Sequence, residues 1–365
     1  MSSYVSPADL VSTIGNWYHA IIRRDVEAAT RLKKVVEELL IKESVEDEIS
    51  LYYELTDFRH MLISENYSEG DYFNKIQVIN SLSTVENSSL NCLTNFLYGQ
   101  YEFLQGSYAR AIRYYQATES ELDQLVDPYE KADFYHRMGE TYYRIDQYVS
   151  AIHYLELAYK TFKENPLFTE RALNSLMLLG CVYAEMREFT EAESLFSKVL
   201  QDSSHFPTTH AFALRNFGLS LLQSNKLEGA LDYFTQALKT GNHWNTFEGT
   251  KTKYNLALVY FRLHQLEDAK NYLKVAMTEA EKYGNTEYIA RCKIVKGLYL
   301  ESNMELVMSG FKILENGNFY FECAEMANEV SVYMERTGEN QQAFSFLKKA
   351  LEYRNFQLKS RSDIS

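Results

Sequence analysis

Proline is scarce, with 4 in 365 residues. Because proline is the residue that ends or kinks helices, long helices are free to run through most of the chain. Glycine is also sparse, 15 in all, so no Gly/Ser-rich linker divides the sequence into tethered domains. The four cysteines, Cys92, Cys181, Cys292 and Cys323, are scattered, with no CxxC and no histidine at ligand spacing. That pattern excludes a disulfide framework or a zinc site, and they read as core thiols. No HExxH, GxSxG or phosphate-binding glycine loop occurs, so neither a metal nor a cofactor is expected, and free-standing metabolic catalysis is not. No apolar run reaches the roughly 18 residues needed to span a bilayer, and the start, MSSYVSPADLVSTIGNW, has no basic stretch leading into an apolar one. The expected location is cytoplasmic, without a membrane partner. Positive charge is in deficit, 37 Lys and Arg against 50 Asp and Glu for a net charge of -13, and no concentrated basic face offers itself to a phosphate backbone. Nucleic acid is not expected as a partner.

What is present is a repeat. A small residue and an alanine recur twelve positions apart: Gly99 and Ala111, Gly139 and Ala151, Gly180 and Ala192, Gly218 and Ala230, Ala257 and Ala269. A large residue stands three before each alanine (Tyr108, Tyr148, Phe189, Leu227, Leu266) and another four after it (Tyr115, Leu155, Phe196, Phe234, Leu273). This is the pattern of a tetratricopeptide helix-turn-helix unit, in which small residues let the two helices of a pair approach and large ones fill the space between units. The alanines advance by 40, 41, 38 and 39 residues, which is longer than the roughly 34 usual for this unit. Two weaker units follow, around Gly297 and Ser309 and around Gly338, Ala343, Leu347 and Ala350. The fold expected is all-α, an N-terminal three-helix bundle followed by a right-handed tetratricopeptide-repeat superhelix of about seven helix pairs. Its last helix, Gln341 to Lys359, is read as a cap with charged residues outward.

The segment before the repeats predicts three helices: Pro7 to Arg24, with Trp17, Tyr18 and Ile21 on one face; Val26 to Lys42, with Ala29, Leu32, Val36, Leu39 and Leu40; and Val45 to Ser64, with Ser44 as its N-cap. Asn66 to Tyr72 reads as a hinge, Phe73 to Leu82 as a helix and Ser83 to Ser89 as a polar connection. The domains expected are therefore a bundle over 1–65, a linker with a helix over 66–90 and a repeat domain over 91–365.

Repeat geometry also predicts a ligand face. In stacked units of this kind the first helix of each pair lines the concave surface, and the positions two before and one after the small residue point into it. Asn216 and Asn255 hold the first of these positions in consecutive units. A side-chain amide carries both a donor and an acceptor, so two of them one unit apart can clamp the backbone of a short extended peptide; alternatively, each satisfies a neighbouring backbone group. Asp133, Glu140 and Glu185 are expected on the same groove. Arg137, Arg215 and Lys251 also lie at groove positions, where they either hold a peptide carboxylate or pair with those acids.

The strings NWYHAI at 16–21, LYYELTDFRH at 51–60, YGQYEFLQGSYARAIRYY at 98–115 and EKADFYHRMGETYYRIDQYVSAIHYLELA at 130–158 resemble the response-regulator aspartate phosphatase family, the Rap proteins of spore-forming Gram-positive bacteria. The resemblance covers most of the chain. It implies a bundle that binds a response regulator, or a regulatory protein carried by a mobile element, and a repeat domain that binds a short re-imported Phr signalling peptide which releases the target. It also implies that Asn216 holds the peptide and that Glu185 faces a basic peptide residue, for a ligand of about five to six residues with one Arg or Lys. Phosphatase members carry a glutamine in a run of the type EDQDLLxYY. Here the run is Glu46 to Tyr53, and Asp47 stands in the glutamine's place. An amide can orient a water for attack on an aspartyl phosphate, whereas an ionised carboxylate only accepts hydrogen bonds. The run Glu46-Asp47-Glu48 also reads as acids favouring a helix N-terminus. Leu51, Leu55 and Phe58 are expected in the bundle core. Glu46, Asp47, Tyr52, Glu54, Asp57 and Arg59 are expected outward, the first five as target contacts.

Overall fold

The structure, a computed structural model, describes residues 7–41, 45–64, 69–82, 87–125 and 127–359, and every regular element among them is helical. Four helices come first: α1 (Pro7–Arg23), α2 (Val26–Leu40), α3 (Asp47–Leu62) and α4 (Glu69–Leu82). Seven pairs follow: α5 (Ser88–Leu104) and α6 (Tyr108–Ser120), α7 (Pro128–Arg144) and α8 (Tyr148–Phe162), α9 (Thr169–Glu185) and α10 (Phe189–Asp202), α11 (Pro207–Gln223) and α12 (Leu227–Lys239), α13 (Phe247–Arg262) and α14 (Leu266–Lys282), α15 (Thr286–Tyr299) and α16 (Met304–Asn316), α17 (Tyr320–Arg336) and α18 (Asn340–Lys359). The chain divides into two compact units, one of Met1–Thr141 with His153–Ala172 and the other of Tyr142–Ile152 with Leu173–Ser365.

In the first unit, Leu10, Ile14, Trp17, Ala20 and Ile21 of α1 pack with Ala29 and Val36 of α2 as one apolar cluster. Asp25 caps α2 by accepting the Ala28 N–H, which satisfies one of the helix's free donors. Ser44, the expected cap of α3, lies outside the described residues. The observed α3 starts at Asp47 after Glu46, which makes no side-chain cap bond, and Asp47 and Glu48 sit in its first turn, where the helix dipole favours acids. Residues 66–68 of the expected hinge and 83–86 of the polar connection are likewise outside the described residues. Gly70 to Tyr72 are not a hinge, because they already belong to α4.

The repeat spacing has a sharper meaning in three dimensions than a close approach of two backbones. Ala111, Ala151, Ala192, Ala230 and Ala269 are all fully buried. The glycine of a pair makes room for the ring sixteen residues on. A Cβ on Gly99 would meet the Tyr115 ring at 2.4 Å, on Gly180 the Phe196 ring at 2.9 Å, and on Gly218 the Phe234 ring at 2.7 Å. Where the first position is Ala257, the partner is the slimmer Leu273. Burying such a ring contributes roughly 1.5–3 kcal/mol, so the missing methyl group is recovered several times over.

The turns repeat too. Five residues before the alanine of the first five pairs and the seventh stands a residue of left-handed conformation: Gly106, Asp146, Arg187, Asn225, His264 and Gly338. The next residue donates back five positions, as in Gln147 N–H to the Tyr142 carbonyl and Lys226 N–H to the Leu221 carbonyl, which closes the helix end. The sixth pair breaks the spacing. Gly310 rather than Ser309 fills the small position, since a Cβ there would meet Ile294 at 2.5 Å and the Ala290 carbonyl at 2.8 Å. Its left-handed residue, Ser302, comes earlier and the stretch to Gly310 is longer, so thirteen residues separate Gly297 from Gly310. The seventh pair returns to twelve, with Ser331 donating to the Ala343 carbonyl at 2.8 Å.

The last helix departs from expectation. Ala343, Phe346, Ala350 and Tyr353 of α18 are buried, but Phe344, Leu347, Leu351 and Phe356 are exposed, so its outer face is not the charged face of a cap.

The ring-in-glycine packing can be tested directly. Gly218→Ala is expected to cost about 1–3 kcal/mol in urea unfolding by overpacking Phe234. The same substitution made together with Phe234→Leu is expected to cost much less than when made alone, because the pair then matches Ala257 and Leu273. Equal costs in both backgrounds would show that the ring does not need the space.

Candidate functional site

In the first unit the distinctive sequence strings meet one another. Trp17 of α1 donates through Nε1 to His60 Nδ1 of α3 at 3.1 Å. Beside it, Arg59 lies over the Tyr18 ring at 4.3 Å and donates to the Tyr18 hydroxyl. The other end of the Arg59 guanidinium reaches Asp133 of α7, and Arg171, in the first turn of α9, donates to the second oxygen of the same carboxylate. Asp133, Arg59 and Arg171 are all at most 3% exposed. Burial alone raises a carboxyl pKa; here Arg171 and then Arg59 outweigh it and hold Asp133 well below the usual carboxylate range. Two expectations are thereby corrected. Arg59 is not outward, and Asp133 is not a groove charge, because each is consumed in this ion network.

The residues expected on the target face differ in exposure. Glu46 and Asp47 are exposed at the start of α3, and Tyr52 is half-buried. Glu54 is held by Lys75 of α4 at 2.6 Å. Asp57 is buried between Lys33 and Lys75, at 2.6 Å from each, which corrects its expected exposure; its side chain ties α2, α3 and α4 together. Leu51, Leu55 and Phe58 are core, as the helical spacing predicts.

In the second unit α13 packs against both α11 and α15. Asn216 of α11 is half-buried and accepts a long 3.5 Å bond from Arg215. Asn255 of α13 is 4% exposed, and its amide Nδ2 has no hydrogen-bond partner. A buried donor left unmet costs about 1–3 kcal/mol. Lys251, one turn earlier on α13, donates to Glu248 at 2.6 Å, and its ammonium lies 4.9 Å from the Phe247 ring centre and 5.7 Å from that of Tyr288 on α15. Arg215 shares this cluster. Burial pushes the Glu248 carboxyl up, but Lys251 and then Arg215 hold it below its usual value. Arg291 of α15, 5.5 Å from the Tyr288 ring, bonds Glu287 at 2.8 Å and Glu325 of α17 at 2.6 Å.

Glu185, at the end of α9, accepts from Gln223 at 2.7 Å, and burial together with the nearby Glu325 charge pushes its carboxyl up to about 7. Glu140 belongs to the first unit, where Arg137 donates to it at 2.8 Å. The second unit thus brings together Arg215, Asn216, Lys251 and Asn255, with Glu185 near Glu325. Sequence reasoning missed Glu248, Tyr288, Arg291 and Glu325. The signal was available for two of them, since Arg291 and Glu325 stand six before Gly297 and Ser331, as Lys251 stands six before Ala257.

A titrating acid lies beside the Asp133 network. Burial pushes the Glu130 carboxyl from its ordinary 4.5 up to about 7, against Arg59 and with Asp127 adding to the rise. Its folded pKa lies above its unfolded one, so the folded state binds this proton more tightly. Its contribution to stability therefore falls as pH rises from 4.5 to about 7 and is level above. The neighbouring His19, raised chiefly by its bond to Asp127, slopes in the same direction, so the Glu130 share must be isolated by difference. Glu130→Gln is expected to gain stability relative to the parent across that window when urea unfolding is compared below, within and above it. A pH-independent difference would show that Glu130 ionises normally in the fold.

Comparison with known proteins agrees with the sequence strings. Residues 4–65 match the family described as response regulator aspartate phosphatase H, N terminal, and residues 123–287 match the SusR N-terminal TPR domain. A Rhodococcus hoagii protein named Type II methyltransferase M.CeqI is 36% identical over 97% of this chain and 69% of its own length. Regulatory protein RapG of Bacillus subtilis (strain 168) is 28% identical over 81% of each chain. In fold, the chain superposes on a crystal structure of a Rap protein complexed with competence and sporulation factor with a TM-score of 0.89, at 18% identity, covering 97% of this chain and 100% of the other. With its N-terminal segment, its helical repeats and its near full-length relatives in agreement, the chain belongs to the response-regulator aspartate phosphatase family, the Rap proteins.

Proposed function

We propose that this protein is an intracellular quorum-sensing regulator that holds a response regulator, or a related regulatory protein, through residues 1–65, and lets it go when a short signalling peptide binds along residues 91–365, with 66–90 as the connection. The observation that carries the peptide half is the Asn255 amide, buried yet without a partner for its Nδ2, one repeat from Asn216. An extended peptide supplies what it lacks. A peptide carbonyl accepts from Nδ2 and a peptide N–H donates to Oδ1, whatever the peptide's side chains are. Arg215 and Lys251 receive the peptide's carboxylate, Lys251 turning from Glu248. Glu185 faces its basic residue. The predicted ligand is a peptide of about five to six residues carrying one Arg or Lys.

For the target half, Glu46, Asp47, Tyr52 and Glu54 are the contact residues, with Asp57 acting from within by fixing α3 against its neighbours. Binding without hydrolysis fits Asp47. Two unit charges about 4 Å apart repel by about 4 kcal/mol at an effective dielectric near ~20, so a carboxylate beside a phosphoryl group raises the barrier that an amide lowers. Methyl transfer, in the name of the Rhodococcus hoagii relative, is not part of this reading. No two of the 15 glycines lie closer than seven residues, so the sequence holds no glycine-rich loop for a nucleotide cofactor.

Two experiments check the halves separately. Calorimetry with the short exported peptides of the host is expected to find one that binds, and Asn255→Ala or Asn216→Ala to weaken it by about 1–3 kcal/mol with the fold retained by circular dichroism. Affinity untouched by both substitutions would remove the clamp. For the target, a phosphorylated response regulator captured by this protein is expected to keep its label at the spontaneous rate, and Asp47→Gln to accelerate the loss. Label loss catalysed by the parent and abolished by Asp47→Ala would instead make it a phosphatase.

A further inference from the structure

The first helix of the sixth pair stops early. α15 has 14 residues, whereas α13 before it has 16 and α17 after it has 17. In the other six pairs the left-handed turn residue stands seven after the small residue, but Ser302 stands only five after Gly297. The chain then folds back onto the end of α15. Asn303 N–H donates to the Gly297 carbonyl at 2.9 Å, and a Cβ on Gly297 would meet the Asn303 carbonyl at 2.8 Å, so this turn needs the glycine. A helix two or three residues short lacks roughly 3–4.5 Å of length. α17 keeps its own last turn, and a cavity of about 350 Å³ opens between the two helix ends. Sites for small molecules begin at roughly 300 Å³.

The lining has an apolar part, with Met304 and Val307 from α16 and Met334 from α17, and an aromatic ring, Tyr333. It has one carboxylate, Glu339, and no Lys, Arg or His. Glu339 is exposed and accepts a long 3.5 Å bond from Gln342. The neighbouring cations are engaged elsewhere, Lys296 with Glu301 at 2.9 Å and Arg336 with Asn225 at 3.0 Å. We propose that this cavity binds a small aromatic amine, with its ring between Met304 and Met334 beside Tyr333 and its ammonium on Glu339. Thioethers adapt to a ring and make favourable contacts with its edge, and the Tyr333 ring adds attraction for a nearby cation. An ammonium gives Glu339 the charged partner that Gln342 does not. An anionic ligand finds no cation in the lining and is repelled by Glu339. The site lies between the sixth and seventh pairs, whereas Asn216 and Asn255 belong to α11 and α13, so it stands independently of the peptide reading.

Three probes that share an indole ring and differ in charge test the assignment: tryptamine, the neutral tryptophol and the anionic indole-3-acetate. The full chain is labelled with ¹³C in its methionine methyl groups, and the Met304 and Met334 signals are assigned through Met304→Leu and Met334→Leu. Titration with tryptamine is expected to shift both signals, with an affinity about tenfold or more above that of the other two probes, as a charge-assisted hydrogen bond of ~1.5 kcal/mol or more provides. Glu339→Gln, at an exposed position, is expected to bring tryptamine down to the level of tryptophol. Glu339→Lys is expected to reverse the order in favour of indole-3-acetate, with circular dichroism confirming that both variants keep the fold. Met304 and Met334 signals unmoved by millimolar tryptamine, equal affinity for the three probes, or a preference for tryptamine that survives both Glu339 substitutions would each overturn the proposal.

Discussion

The first unit depends on one carboxylate. Asp133 sits between two guanidiniums, Arg59 from α3 and Arg171 from α9, with no solvent to screen them. Taking three charges out of water is costly, and the attraction between them offsets that cost only when the geometry is held. What such a network contributes is register more than stability. Arg59 can reach Asp133 only if α3 lies at one rotation and one height on α7, and the same guanidinium is seated on Tyr18, whose neighbour Trp17 bonds His60. The strings NWYHAI, DFRH and EKADF, separate in sequence, are thus one physical object. Trp17 bonds His60, and Arg59 bonds both Tyr18 and Asp133.

The repeat in the second unit rests on a different constraint, volume. Phe196 needs the space that Gly180 leaves, and Phe234 that of Gly218. The left-handed turn residues maintain that registration from pair to pair, since they return the second helix at a constant offset. The sixth pair shows the tolerance of the scheme. When the turn around Ser302 is rearranged, the small residue moves one position along to Gly310 and the packing is kept. With the helices stacked in this way, any side chain at a given offset from the small residue recurs beside its counterpart one pair later. Lys251, Arg291 and Glu325 form such a row, six positions before the small residue of three successive pairs.

Most of the architecture was legible before any coordinates. The twelve-residue spacing located the pairs, and helical periodicity separated Leu51, Leu55 and Phe58 from the surface of α3. Charged residues were read less well, because their placement depends on partners far away in the chain. Asp57 and Arg59 look like surface residues on an isolated helix; Lys33, Lys75 and Asp133 draw them inward. The reverse error occurred at α18, where the sequence Gln341 to Lys359 looks polar enough for a cap. Its buried stripe runs through Phe346 and Tyr353, leaving Phe344 and Leu351 outside.

By itself the sequence determined what depends on local periodicity: an all-helical chain, the pairing of its helices, the small and large positions within each pair, and the family strings at its N-terminal end. These follow because a helix repeats every 3.6 residues, so neighbours in space are a fixed few positions apart in sequence. The tertiary structure alone decided which charges are spent inside the fold and which remain free to meet a ligand. It placed Asp133 in the core with Arg59, left the Asn255 amide buried without a partner for its Nδ2, and gathered Lys251, Glu248 and Tyr288 into one cluster. Coulomb and hydrogen-bond partners lie tens of residues apart, and no local period encodes which of them will meet.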